Sequence, residues 1–277
     1  MTEEFAVSKD SEQVNRPIVS RPRKQRKVAV VIAFGTLVLT TLAGLWGTGV
    51  WKQGLSVRRI FVEGNRIIAA NELAKLTRIT AGAGLYAVDL NRVEENILQQ
   101  VYIRSVSAGR EFPDALRIWV QERQPLAAIS AGGTLFLDEA GFVLPQVQSA
   151  EMFDVPFITG FPETQSVVVG QSVVDPHITY ALDLLKKAKD LDGDLFHIIS
   201  EVHVNGNGDL VLYSSDAGVT ILFGKDDEEQ KLAMLRVFWN RFVLQRGVDK
   251  LQLVDLRYAD QVIARWKDSN NAHRTAF

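Results

Sequence analysis

Twenty-three consecutive residues from Val28 to Val50 carry no charge, and they directly follow a basic cluster of Arg16, Arg21, Arg23, Lys24, Arg26 and Lys27. At about 1.5 Å per residue such a run makes a helix of about 34 Å, against a bilayer hydrocarbon core of about 30 Å. The alternative, a buried core helix, rarely runs this long without a polar face. A single transmembrane helix over residues 28–50 is therefore expected. The basic cluster orients it with residues 1–27 in the cytoplasm, leaving everything after Trp51 on the far side. Only Lys52, Arg58 and Arg59 compete from the other flank, and Trp46 and Trp51 suit the outer interface.

A cleaved secretory signal shares this basic-then-apolar order, but its apolar region is usually about 7–15 residues and ends at a small-x-small site. Here the run is longer, and Thr41-Leu42-Ala43 and Leu45-Trp46-Gly47 make poor sites. An uncleaved anchor that keeps Met1 to Lys27 is the expectation.

Charge is nearly balanced, with 31 Lys and Arg against 33 Asp and Glu, so the basic footprint of a nucleic-acid binder is missing. Residues 1–27 hold seven basic and four acidic side chains, a net of +3, which leaves −5 of the total −2 for the remainder. Two prolines, many polar groups and almost no aromatic or β-branched periodicity make residues 1–27 read as a disordered basic tail. With no cysteine in the chain, a disulfide framework and a thiolate metal site are both excluded. More than 200 residues past the anchor must be held by their own cores, which points to one or two domains.

The first of these domains, residues 55–124, has a β-α-α-β-β pattern. Val57 to Asn65 reads as a strand closed by a Gly64-Asn65 turn, and Asn71 as the cap of a helix with Leu73, Leu76 and Ile79 on one face. Asn91 with Glu94 resembles a capping box for a second helix with Val93, Ile97 and Val101 inward. Ile103–Arg110 and Leu116–Gln121 read as strands around a Phe112-Pro113-Asp114 turn. Gly82-Ala83-Gly84 follows a helix rather than a strand, so it is a turn and not a phosphate loop. This stretch resembles a POTRA domain, the polypeptide-transport-associated module. The resemblance is carried by Val62-Glu63-Gly64-Asn65, the two short helices, Arg110-Glu111-Phe112-Pro113, and Glu122-Arg123-Gln124-Pro125-Leu126-Ala127 at the exit.

Pro125 opens a second, β-rich domain, residues 125–268, with two helices. Leu135–Leu144 reads as two strands turning at Asp138–Gly141, and Asp175-Pro176 as a helix start with Ile178, Ala181, Leu182 and Leu185 inward. Asn205-Gly206-Asn207-Gly208 joins a hairpin, and Val219–Phe223 adds a strand. Asp226 and Glu229 open a long helix carrying Leu232, Leu235, Phe238, Trp239 and Phe242, stopped by Gly247. Leu251–Tyr258 and Val262–Trp266 close the fold as two strands, and residues 269–277 form a tail. One POTRA module behind a single anchor, followed by Val-Asp-Leu-Arg-Tyr and a strand ending in Arg-Trp, resembles the FtsQ/DivIB cell-division family. That resemblance implies an inner-membrane, single-pass protein of α+β class whose bulk is periplasmic.

No catalytic constellation is present. There is no Ser-x-x-Lys, Lys-Thr-Gly, Gly-x-Ser-x-Gly or His-Glu-x-x-His motif. His177, His197, His203 and His273 lack metal-ligand spacing, and Asp226 to Glu229 suit a helix N-terminus better than a cation site. A binding protein is expected, with no cofactor, metal, nucleic acid or small-molecule substrate. The terminal strand is expected to leave a free edge for strand addition. The family resemblance implies that the FtsB–FtsL pair docks there, with Arg257, Tyr258 and Trp266 as contacts and Val262 and Ala264 as neighbouring edge backbone. Against this, Tyr258 and Trp266 can equally be core residues of the sheet. The alternative function is a POTRA-bearing outer-membrane assembly or secretion factor; it requires a β-barrel, and the long 226–246 helix fits that poorly.

Overall fold

The structure, a computed structural model, describes residues 23–53, 55–147, 153–161, 167–267 and 275–276. It separates into two units, Met1–Leu55 and Ser56–Phe277. The first contains helix α1, Arg23–Gln53, of 31 residues. Its apolar side chains, from Val28 to Leu42, are exposed. The hydroxyls of Thr36, Thr40 and Thr41 turn back onto the carbonyls of Ala33, Leu37 and Val38 within the helix. Among the described residues no helix is long and apolar enough to cross a membrane. The described side chains of α1 end at Gly44, short of Val50 where the uncharged sequence ends.

The second unit begins with a three-stranded sheet, β1 (Arg59–Glu63), β2 (Ile103–Glu111) and β3 (Ala115–Glu122), in the order β1-β3-β2. β1 runs parallel to β3 and β2 antiparallel to it, the mixed sheet expected from the pattern. Helices α2 (Ala70–Leu76) and α3 (Leu90–Leu98) cover one face. Leu73, Val93, Ile97, Leu116 and Ile118 are buried there. Gly64 closes β1 at φ +88°, and any side chain on it would collide with the Val120 carbonyl, so the turn admits only glycine.

Both caps in this part differ from expectation. α2 starts after Ala69 with no side-chain cap, and it stops at Leu76, leaving Ile79 outside. α3 is capped by Asp89, two residues ahead of Asn91; the Asp89 carboxylate accepts the amides of Asn91 and Arg92. Glu94 faces the sheet instead and accepts the Ala108 amide at 2.7 Å.

The rest is one ten-stranded mixed sheet. Its strands are β4 (Pro125–Ser130), β5 (Thr134–Asp138), β6 (Val143–Pro145), β7 (Phe157–Thr159), β8 (Ile199–Val204), β9 (Leu210–Ser214), β10 (Thr220–Gly224), β11 (Leu251–Asp255), β12 (Ile263–Trp266) and β13 (Thr275–Ala276). They lie in the order β13-β12-β11-β10-β9-β8-β7-β4-β5-β6. Helices α4 (Pro176–Leu191) and α5 (Gly193–Ile198) connect the parallel pair β7 and β8. The last helical segment connects the parallel pair β10 and β11. It comprises α6 (Glu228–Phe238), a π turn (Trp239–Val243) and α7 (Leu244–Arg246). Leu126, Ile129, Ile158, Ile178, Leu185, Leu232, Leu235 and Trp239 form a continuous core between helices and sheet.

Asp175 caps α4 as expected, with Pro176 in its first turn. α5 is a further helix that the two-helix expectation omitted; at six residues it is too short for a periodic signal. α6 starts at Glu228 behind Asp226 and Asp227, both in left-handed conformation, and neither caps it through a side chain. Glu228 is engaged elsewhere, accepting the Tyr180 hydroxyl at 2.8 Å. Burial of the Glu228 carboxyl opposes ionisation, but the hydrogen bond from Tyr180 and the charge of Lys187 outweigh it and hold the group below the usual range. Burial, then the bond to Glu228, pushes the Tyr180 phenol up to about 12.

Candidate functional site at the end of the large sheet

β11 lies inside the sheet between β10 and β12, with Leu251, Val254 and Asp255 buried, Leu253 half-buried and Gln252 exposed. Past Asp255 the chain leaves the ladder, and the Leu256 amide donates back to the Leu222 carbonyl at 2.9 Å. It then turns through Asp260, at φ +56°, into β12. The turn sequence Asp260-Gln261 therefore takes a left-handed residue without glycine, a conformation aspartate tolerates better than most residues.

Arg257 and Tyr258 stand at this exit. Arg257 reaches back to Asp255 with both prongs of its guanidinium, Nε to Oδ1 at 2.9 Å and a terminal nitrogen to Oδ2 at 2.7 Å. The fork expected for a partner carboxylate is thus already engaged inside the chain, which leaves Nη1 outside the pair; the arginine side chain is 53% exposed. Burial disfavours the charged form of Asp255, yet the hydrogen bonds and charge of Arg257 outweigh it and lower the carboxyl below its ordinary value. Gly224, the last residue of β10, leaves the space across which the Arg257 stem lies; an added Cβ would come within 3.1 Å of it. Tyr258 is 52% exposed and sits on the surface of this corner.

Val262, just before β12, alternates with Ala264 and Trp266 within it, and the three share one face, the face turned to the helices. Val262 and Ala264 are buried. Trp266 is half-buried against the core, tilted towards Phe238 at 6.5 Å, with the Arg246 guanidinium 5.1 Å above its ring. Of the two aromatic candidates, Tyr258 is a surface residue and Trp266 belongs largely to the core. Beside Val262, the residues Met234, Val237, Phe238 and Phe242 line an apolar groove of about 400 Å³ that opens to solvent. Phe242, expected on the inward side of the helix, packs against the core from within the π turn and lines this groove.

The expectation of a free terminal edge is corrected here. On its inner side β12 pairs with β11, and on its outer side Ile263 and Ala264 pair with Ala276 and Thr275 of β13. The tail of the chain returns antiparallel onto its own hairpin. Two residues are too few to show as a strand in sequence.

The histidines are dispersed: His177 lies 3.8 Å from Asp175, His197 3.8 Å from Asp154, and the His203 ring shares Thr159 with Glu201. His273 lies outside the described residues. Among the described residues no group of three His, Asp or Glu is placed to hold a metal ion.

Comparison with known families agrees with the order of the two sheets. Residues 55–123 match the family described as "POTRA domain, FtsQ-type", and residues 124–265 match "FtsQ/DivIB, C-terminal related". The chain belongs to the FtsQ/DivIB family of cell-division proteins. It is similar to the cell division protein FtsQ of Syntrophotalea carbinolica, 28% identical over 87% of this chain and 86% of the relative. It is also similar to the FtsQ of an Anaeromyxobacter species, 30% identical over 76% of this chain and 74% of that one. A shorter match joins it to the cell division protein DivIB of Clostridium acetobutylicum, 30% identical over 34% of this chain and 37% of the relative. An outer-membrane assembly factor is not favoured by these matches.

Proposed function

We propose that this chain is a non-enzymatic scaffold of the divisome, held by one transmembrane helix and recruiting the FtsB–FtsL pair through the corner formed by Arg257, Tyr258 and β12. In this reading residues 1–27 are a cytoplasmic tail, 28–50 span the inner membrane, and 55–124 are the POTRA domain in the periplasm. Residues 125–268 are the partner-binding β domain, and 269–277 its tail. The anchor is supported by the uncharged run inside a 31-residue helix and by threonines that satisfy their hydroxyls within it, as an apolar surrounding demands. The docking corner is supported by one observation above others. An exposed tyrosine and an arginine flank the outermost strand of the main hairpin, next to an apolar groove that a partner side chain can fill.

Two experiments test this. The chain has no cysteine, so single cysteines at Ser20 and Ser269 report topology directly. A membrane-impermeant maleimide applied to cells with a permeabilised outer membrane should label Ser269→Cys and not Ser20→Cys; the reverse pattern rejects the topology. Co-purification with the FtsB–FtsL pair of the same organism should succeed with the parent chain and fail with Tyr258→Ala; equal recovery rejects the docking corner.

A further inference from the structure

We infer that β13 is a placeholder: the tail of the chain occupies the same backbone edge that a docking partner strand needs, and it must leave before that partner can pair. This rests on the docking reading above and adds its regulation. Ile263 and Ala264 form half of the four-residue β12, and both are paired outward to Ala276 and Thr275. A strand edge offers one row of amides and carbonyls, so two strands cannot hold it together. An incoming extended segment therefore competes with the tail for Ile263 and Ala264 and adds to it at Arg265 and Trp266.

The balance between the two occupants follows from length and tethering. Two paired residues contribute only a weak net attraction, since each backbone hydrogen bond formed replaces one to water. Eight residues, Lys267 to Arg274, join β12 to β13, and so short a tether gives the tail an effective local concentration on the order of millimolar. That is enough to keep a weak strand in place against solvent and against stray peptides of low affinity. A partner that pairs along all four residues of β12 and also seats an apolar side chain in the groove beside Val262 engages more than the two positions, Ile263 and Ala264, that β13 pairs. The tail thereby covers an exposed edge until a specific strand arrives, which is one way proteins suppress edge-to-edge association.

The test uses the full chain, a variant ending at Lys267, and Thr275→Pro, in which the ring removes the strand amide. Affinity for the FtsB–FtsL pair of the same organism is measured for all three. Both variants should bind about three- to tenfold more tightly, the scale of one or two net backbone hydrogen bonds. Without partner, amide exchange across Ile263–Trp266 should quicken in both variants. Capture at unchanged or weaker affinity in both overturns the placeholder while leaving the docking corner intact. Quickened exchange with no capture by any of the three chains overturns the docking reading, and the placeholder with it. Should the shortened chain fold poorly, the point variant decides alone.

Discussion

Arg123 holds the carboxylate of Asp138 at 2.8 Å, with 18% of the arginine side chain and 8% of the aspartate exposed. The pair ties the exit of β3 to the end of β5, and the guanidinium also lies 3.7 Å over the Phe142 ring. Asp138 in turn accepts the amides of Ala140 and Phe142, so it shapes the β5–β6 turn as well. The neighbouring Glu122 points the other way and accepts three amides from Arg66, Ile67 and Ile68, at 2.7 to 2.9 Å. Two adjacent residues of the Glu-Arg-x-Pro-x-Ala stretch therefore clamp the loop after β1 and the first hairpin of the large sheet. Tyr102 adds a third tie through its hydroxyl to the Pro145 carbonyl, and burial pushes its phenol up to about 12.

Removing one partner of a shielded ion pair costs more than the pair contributes, because the other charge stays behind. Arg123→Ala should therefore destabilise the protein by about 3 kcal/mol. Arg123→Lys should recover less than half of that, since an ammonium can neither fork nor stack flat on Phe142. Urea denaturation of the purified chain measures both, and equal stability of the Lys variant and the parent would show that the planar geometry is irrelevant.

Glu122→Ala strands three amides at once, two of them in buried residues. At about 1–3 kcal/mol for each unsatisfied group the loss should exceed about 3 kcal/mol. Glu122→Gln keeps one acceptor oxygen and should fall between. The same variants should raise hydrogen exchange at Arg66, Ile67 and Ile68 selectively; a uniform rise over the unit would indicate general loosening instead.

How far the sequence could be read follows from the length of each signal. The β-α-α-β-β unit, the Asp175-Pro176 helix start, the Asn-Gly hairpin and the Gly247 stop were legible, because each is local and carried by several residues. β4 was not: Pro125–Ser130 is buried throughout except at Ser130, so it shows no alternation. The cap of α3 was misplaced because Asp89 and Asn91 are both good caps two residues apart, and only packing chooses. At the candidate site the residues were legible and their roles were not. Arg257 looked free because an i, i+2 ion pair with Asp255 leaves no periodic mark, and Trp266 stood open between core and contact because Arg246 and Phe238 reach it from a distant helix. The strand β13 is two residues long, too short to leave a periodic mark.

The Asp255–Arg257 pair gives a pH dependence with a definite sign. The folded carboxyl is held below its ordinary value, while the unfolded one titrates near about 3.9. A depressed acid stabilises the fold fully above its unfolded pKa, and that contribution is lost as pH falls through the folded pKa. Stability should thus decline below about pH 4 more steeply in the parent than in Asp255→Asn, which has no such charge to lose. Thermal melts from pH 6 to 2.5 read the difference; parallel acid limbs would mean that Asp255 is not ionised by virtue of Arg257.

Tyr258 and Trp266 should separate binding from folding. Tyr258 is 52% exposed and carries little of the core, so Tyr258→Ala should leave stability within about 0.5 kcal/mol of the parent. Its loss should fall on partner capture alone, as expected of a rim aromatic that buries its ring only in the complex. Trp266 shares a face with the buried Val262 and Ala264 and packs against Phe238 beneath Arg246. Trp266→Ala should accordingly cost about 2–3 kcal/mol of folding stability, less than a fully buried tryptophan because the residue is only half-buried. Trp266→Phe keeps aromatic area against Phe238 and should restore most of it. Capture by Trp266→Phe at near-parental affinity would mark Trp266 as a support for the strand; capture lost despite parental stability would make it a contact in its own right.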